Sequence, residues 1–136
     1  MAGAREISKE RVSKAPSKEY DVGMLSKLAS LLVERSLGEI AQCLVVSEDG
    51  VVLYAMSKDE NSEVLGAISS TLFVAVQTAM RDYLNLNIEF IDVSLEGRHF
   101  IIFGHGGAIF ALLTRENPNL GLIYYLVEQL RSGTLS

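Results

Sequence analysis

"EIAQCLVVSEDGVVLYAMS", residues 39–57, holds two β-rich runs on either side of Ser47-Glu48-Asp49-Gly50. Asp and Gly tolerate the positive φ of a primed hairpin turn, so Asp49-Gly50 between apolar runs predicts two antiparallel neighbouring strands. Upstream, Asp21 is suited to cap a helix in which Met24, Leu25, Leu28, Leu31 and Leu32 recur at helical spacing, with Gly38 as the stop. Downstream, a polar loop leads to Ser62, a candidate cap for a long helix from about Glu63 to Tyr83, with Glu63 near its positive end.

Three further strands follow at 87–95 ("NIEFIDVSL"), 99–104 ("HFIIFG") and 108–114 ("AIFALLT"), joined by links short enough for an antiparallel meander. In the last two, apolar residues fall on both faces, so both sides of the sheet need a cover. Asn117-Pro118 biases the chain to a turn, and Asn119 can cap a closing helix with Leu120, Ile123, Tyr124, Val127 and Leu130 on one face. The order is α-β-β-α-β-β-β-α. The expected fold is an α+β sandwich: a five-stranded antiparallel sheet with the long helix on one face and the N- and C-terminal helices on the other.

The long helix is apolar over an unusually wide arc. Leu65, Ile68, Leu72, Val76, Ala79 and Tyr83 form one stripe and Val64, Ala67, Thr71, Val74 and Thr78 a second beside it, leaving Glu63, Gly66, Ser70, Gln77 and Arg81 as a narrow polar strip. A surface helix needs one apolar stripe of a little over ~100°, so the second predicts contact with another element or another subunit.

With 136 residues the chain is one domain's worth, expected over residues 20–136 behind a basic tail, 1–19, that reads as mobile or as a loosely held helix. Hydrophobic residues make up 49% of the sequence, yet no uninterrupted apolar run reaches the roughly 18 residues of a membrane span, and no secretory apolar segment opens the chain. A cytoplasmic location is therefore expected. Residues 1–20 carry five Lys/Arg against three Glu, net +2; subtracting these from totals of 12 and 17 leaves 7 basic and 14 acidic, net −7. That body would repel phosphate backbones, which argues against nucleic acid as the main partner. The tail could still touch an acidic surface.

Chemical equipment is sparse. Cys43 is a single cysteine in an apolar run and reads as core, without the thiolate cluster of a zinc site. Gly104-His105-Gly106-Gly107 leads into a strand with no neighbouring Lys, so it reads as a hairpin turn rather than a phosphate cradle. His99 and His105 lack metal-ligand companions, no Gly-x-Ser-x-Gly elbow occurs, and Arg35, Arg98 and Arg115 read as surface arginines rather than arginine fingers. Of the adjacent Tyr124 and Tyr125, one should face the sheet and the other more nearly solvent. No catalytic, cofactor-binding or metal residue is expected.

Taken together, "CLVVSEDGVVLYAMS" (43–57), "VLGAISSTLFVAVQTAM" (64–80), "GGAIFALLT" (106–114) and "NPNLGLIYYLVEQL" (117–130) resemble the roadblock domain, found in roadblock-type dynein light chains and in bacterial and archaeal regulators of small Ras-like GTPases. The Asn119–Leu122 helix opening is the most family-like piece, and the similarity spans about residues 22–131. The resemblance implies a dimer built by pairing third strands and setting two long helices side by side, with itself or a paralogue. It makes Leu65, Ile68, Leu72, Val76, Ile91 and Val93 candidate dimer contacts and Ser70, Gln77 and Arg81 candidates for a partner platform. It further implies a non-enzymatic platform that binds and regulates a small Ras-like GTPase. A structural subunit of a motor or membrane-associated scaffold is the alternative reading; a small-ligand sensory domain of the profilin-like kind is the third.

Overall fold

The computed structural model describes residues 19–56 and 61–136. The expected tail lies almost entirely outside the described residues. The elements are α1 (Val22–Arg35), β1 (Ile40–Val46), β2 (Val52–Met56), α2 (Ser62–Leu84), β3 (Ile91–Leu95), β4 (Arg98–His105), β5 (Ala108–Thr114) and α3 (Leu120–Arg131). The strands form a five-stranded sheet in the order β2-β1-β5-β4-β3, antiparallel at every pairing, with β2 and β3 at its edges. Element order and layering are those expected from the sequence.

Strand periodicity sends alternate residues to opposite faces and so creates two apolar layers. Cys43, Val45, Ile101, Phe103, Phe110 and Leu112 face α1 and α3 and pack with Leu25, Ala29, Leu32, Ile123, Val127 and Leu130. The Phe103 and Phe110 rings stack there with centroids 5.1 Å apart. Leu44, Val46, Phe100, Ile102, Ile109 and Ala111 form the layer on the α2 side. Because the central strands are buried on both faces, their sequences read as near-continuous apolar runs.

Local signals held at several points and shifted at others. Asp21 Oδ1 accepts from Met24 N at 3.1 Å and Asn119 Oδ1 from Leu122 N at 3.1 Å, as N-caps do. Ser62 is instead the first helical residue of α2, buried, behind an Asn61 cap. The β1–β2 turn is not the expected two-residue primed form. Gly50 alone has positive φ (+92°), and Ser47 N donates to Val51 O at 2.9 Å, which makes a three-residue loop with its last residue left-handed. The two-residue primed turns occur at Glu96-Gly97 and Gly106-Gly107, where both residues of each pair have positive φ. The strand expected over 87–95 pairs only from Ile91, because Ile88 N donates to the Gln77 side chain of α2 at 2.9 Å instead of joining the ladder.

At the opposite end of the sheet Glu39 ties the chain entering β1 to the start of α3. Its carboxylate accepts from Asn119 N at 2.7 Å and from the Arg115 guanidinium at 3.1 and 3.3 Å. The Asn119 amide, with Arg115 behind it, holds the Glu39 carboxyl below the usual 4.5. A carboxylate whose folded pKa is depressed stabilises above its unfolded pKa, and that contribution is lost as pH falls through the folded value. Glu39→Gln is therefore expected to lower the melting temperature near neutrality, with the gap to wild type closing in acid. Circular dichroism melts at about pH 7 and about pH 3 test this; an equal gap at both would show that the charge is irrelevant.

Candidate functional site

The long helix sits differently from the expectation drawn on polarity. Its sheet-facing side takes in Gly66, Ser70 and Gln77 from the strip read as polar, while Glu63 and Arg81 of that strip are exposed: Ser62, Gly66, Ser69 and Ser70 are buried, followed by half-buried Phe73 and Gln77. Small side chains allow a close approach. A Cβ on Gly66 would lie 3.0 Å from Val52 Cγ2 and 3.1 Å from Val46 Cγ1, and one on Gly104 would lie 3.0 Å from the Phe73 ring. The hydroxyls need no partner from the sheet, since Ser69 Oγ donates to Gly66 O at 3.0 Å and Ser70 Oγ to Ala67 O at 3.2 Å, one turn back in their own helix. Seated this way, α2 crosses the end of the sheet that carries the turns at Gly50 and Gly106-Gly107.

Both apolar stripes consequently lie outside the helix–sheet seam or along its flank. Leu65 and Leu72 pack half-buried against the α2-side layer, Val76 is half-buried, and Ile68 is 48% exposed. Val64 and Val74 are exposed, as are Ala67 and Thr71. Ala67, Ile68, Thr71 and Leu72 line an open concavity of about 390 Å³ on this outer face. By length and composition α2 is apolar enough to cross a membrane, but its small-residue side is seated on the sheet of its own domain.

The edge strand extends the same surface. Ile91 and Val93 are half-buried and pack against the cluster that Leu65 and Leu72 reach from α2. The register places Val93 opposite Phe100, and Phe100 opposite Leu113, in a row across that face. Of the residues expected at a dimer contact, Leu65, Leu72, Ile91 and Val93 pack against this one cluster, while Ile68 is exposed and Val76 half-buried on α2. The three expected on a partner platform are scattered. Ser70 is buried, which corrects its reading as an outward polar residue. Gln77 secures the loop before β3 through Ile88 N and, at 3.4 Å, Asn87. Arg81 alone is exposed, beside a groove of about 260 Å³ that Glu48, Phe73 and Thr78 also line.

Chemical groups elsewhere are held in structural roles. Cys43 is fully buried, and burial pushes its thiol up to about 12, away from the reactive thiolate. Burial, reinforced by the Arg131 charge, lowers the pKa of His105, whose ring meets Phe110 edge-on. No group of three or more potential metal-ligating side chains occurs among the described residues. Sequence reading missed a polar network at β3: Asp92 Oδ1 lies 2.7 Å from His99 Nδ1, and Tyr124 OH donates to Asp92 Oδ2. Asp92 and His99 lie diagonally across a strand pair, and Tyr124 comes from α3, so the signal exists only once the register is known.

An antiparallel sheet apolar on both faces, with one long helix seated by small residues on one side and two helices on the other, defines an α+β sandwich. The chain belongs to the Roadblock/LC7 domain family, whose profile matches residues 28–114. No curated protein matches the sequence. Among solved structures it is similar to a Roadblock/LC7 domain from Streptomyces avermitilis, at 19% identity and a TM-score of 0.67, covering 82% of this chain and 98% of that one. It is similar also to Myxococcus xanthus MglB, at 9% identity and a TM-score of 0.72, covering 87% and 90%. The profilin of Schizosaccharomyces pombe shares the fold more loosely, at 15% identity and a TM-score of 0.59, covering 79% and 94%.

Proposed function

We propose that this protein is a non-enzymatic, cytoplasmic platform that dimerises through α2 and β3 and binds a small Ras-like GTPase. The observation that carries the reading is the apolar outer side of α2, together with the half-buried Ile91 and Val93 of edge strand β3, which pack on the same cluster as Leu65 and Leu72. A domain of this size rarely leaves so wide an apolar surface to water unless a partner covers it. Two-fold pairing also removes the open edge at β3. Family membership, through the role roadblock domains play as GTPase regulators, supports the choice of GTPase.

With no base or nucleotide cradle expected from its sequence, the platform would act by ordering the catalytic groups of the GTPase. A panel of purified Ras-like GTPases, assayed for nucleotide hydrolysis and exchange with and without saturating dimer, is expected to contain at least one whose turnover changes severalfold. If none forms a complex and none changes rate, the GTPase reading fails and the scaffold-subunit reading takes its place.

A further inference from the structure

Among the described residues strand β3 pairs on one side only, with β4, and Asp92 is the single charged residue in its five positions. That carboxylate is held twice. From β4, His99 Nδ1 lies 2.7 Å from Oδ1; from α3, the Tyr124 hydroxyl donates to Oδ2. The Tyr124 ring also stacks on Phe90, just before the strand, with centroids 5.1 Å apart and planes 26° from parallel. His99 is fixed in turn, its backbone N–H donating to the buried Thr114 Oγ1 at 2.9 Å. Asp92 and His99 are each about 20% exposed at the side chain, partly withdrawn from water.

We propose that Tyr124 and His99 are positioning residues for self-association, holding the edge-strand carboxylate so that β3 can pair with the β3 of a second copy. The inference rests on the dimeric-platform reading. Antiparallel pairing of identical five-residue strands centred on Val93 sets Asp92 opposite Ser94 of the second copy. Closing that seam strips water from the carboxylate, which is costly unless donors already satisfy it. The network supplies two donors before the partner arrives. The Phe90 stack aligns the chain leading into the strand.

The test uses the full chain with Tyr124→Phe, His99→Gln and, as a control, Tyr125→Phe, which alters an exposed neighbour on the same helix. Phenylalanine keeps the stack on Phe90 and removes only the donor, so Tyr124→Phe should fold. Sedimentation equilibrium is expected to show a dimer dissociation constant roughly tenfold weaker in Tyr124→Phe, the scale of one hydrogen bond to a charged group. Hydrogen exchange over residues 89–95 should quicken in Tyr124→Phe and His99→Gln and remain unchanged in Tyr125→Phe. Asp92→Asn placed in the Tyr124→Phe background should recover part of the loss, because the neutral amide no longer buries an under-satisfied charge. Wild-type exchange and dissociation in both network variants would overturn the proposal. A wild-type chain that is monomeric at every concentration overturns the platform reading and the pairing role together, and exchange then reports separately whether Tyr124 orders β3.

Discussion

Ile68→Asp is expected to convert a dimer into a folded monomer. Ile68 is 48% exposed in the single chain and borders the concavity formed with Ala67, Thr71 and Leu72, so a carboxylate there stays hydrated as long as the chain is alone. Two-fold association would bury that carboxylate twice, once from each copy, with no basic side chain on either apolar stripe of α2 to meet it. An unpaired buried charge costs several kcal/mol, so the pair of substitutions should weaken association by about 3 kcal/mol or more, roughly a hundredfold. Light scattering across a concentration series reads the mass, and circular dichroism confirms that the variant is folded. Val93→Asp probes the sheet half of the same face. Leu72→Asp is a poorer probe, since Leu72 packs on the α2-side layer and its loss disturbs the protomer itself. A wild-type chain that stays monomeric at every concentration would falsify the platform reading.

The second large effect is expected at Gly66. Its would-be Cβ is 3.0–3.1 Å from methyl groups of Val52 and Val46, which belong to two paired strands and cannot swing aside as a long side chain would. Gly66→Leu should therefore lift the first half of α2 from the sheet, at an overpacking cost of about 1–3 kcal/mol, beyond what the better helix propensity of leucine returns. Since natural domains carry only ~5–15 kcal/mol of stability, a loss of this size is visible in a urea titration. The dimer should suffer as well, because the same displacement separates Leu65 from the cluster it shares with Ile91 and Val93. Gly66→Leu with unchanged midpoint and mass would mean that α2 is not seated by its small residues.

These two substitutions bear on opposite sides of one helix. Hydrophobicity suggested that Gly66, Ser70 and Gln77 faced water. The structure turns Gly66 and Ser70 onto the sheet because, at that seam, closeness of approach outweighs apolar area. Glycine brings no volume, serine satisfies its hydroxyl on its own helix, and Gln77 donates to and accepts from the loop that enters β3. Larger apolar residues such as Ile68 are then left on the outer side. A helical wheel ranks residues by polarity and holds no record of distance to a neighbouring layer, so it cannot separate a small-residue seam from a solvated strip.

The sequence by itself determined the elements and their layering. Asp21 and Asn119 capped the helices they were expected to cap, the runs at Cys43–Val46, Phe100–Phe103 and Ile109–Leu112 were apolar on both faces, and short links forced antiparallel neighbours. Caps, turns and periodicity act over a few residues, so they can be read locally. Only the tertiary structure decided which side of α2 meets the sheet, where β3 begins to pair, and that Asp92, His99 and Tyr124 meet. Each of these depends on register and distance between segments far apart in the chain, and that information exists only once the strands are side by side.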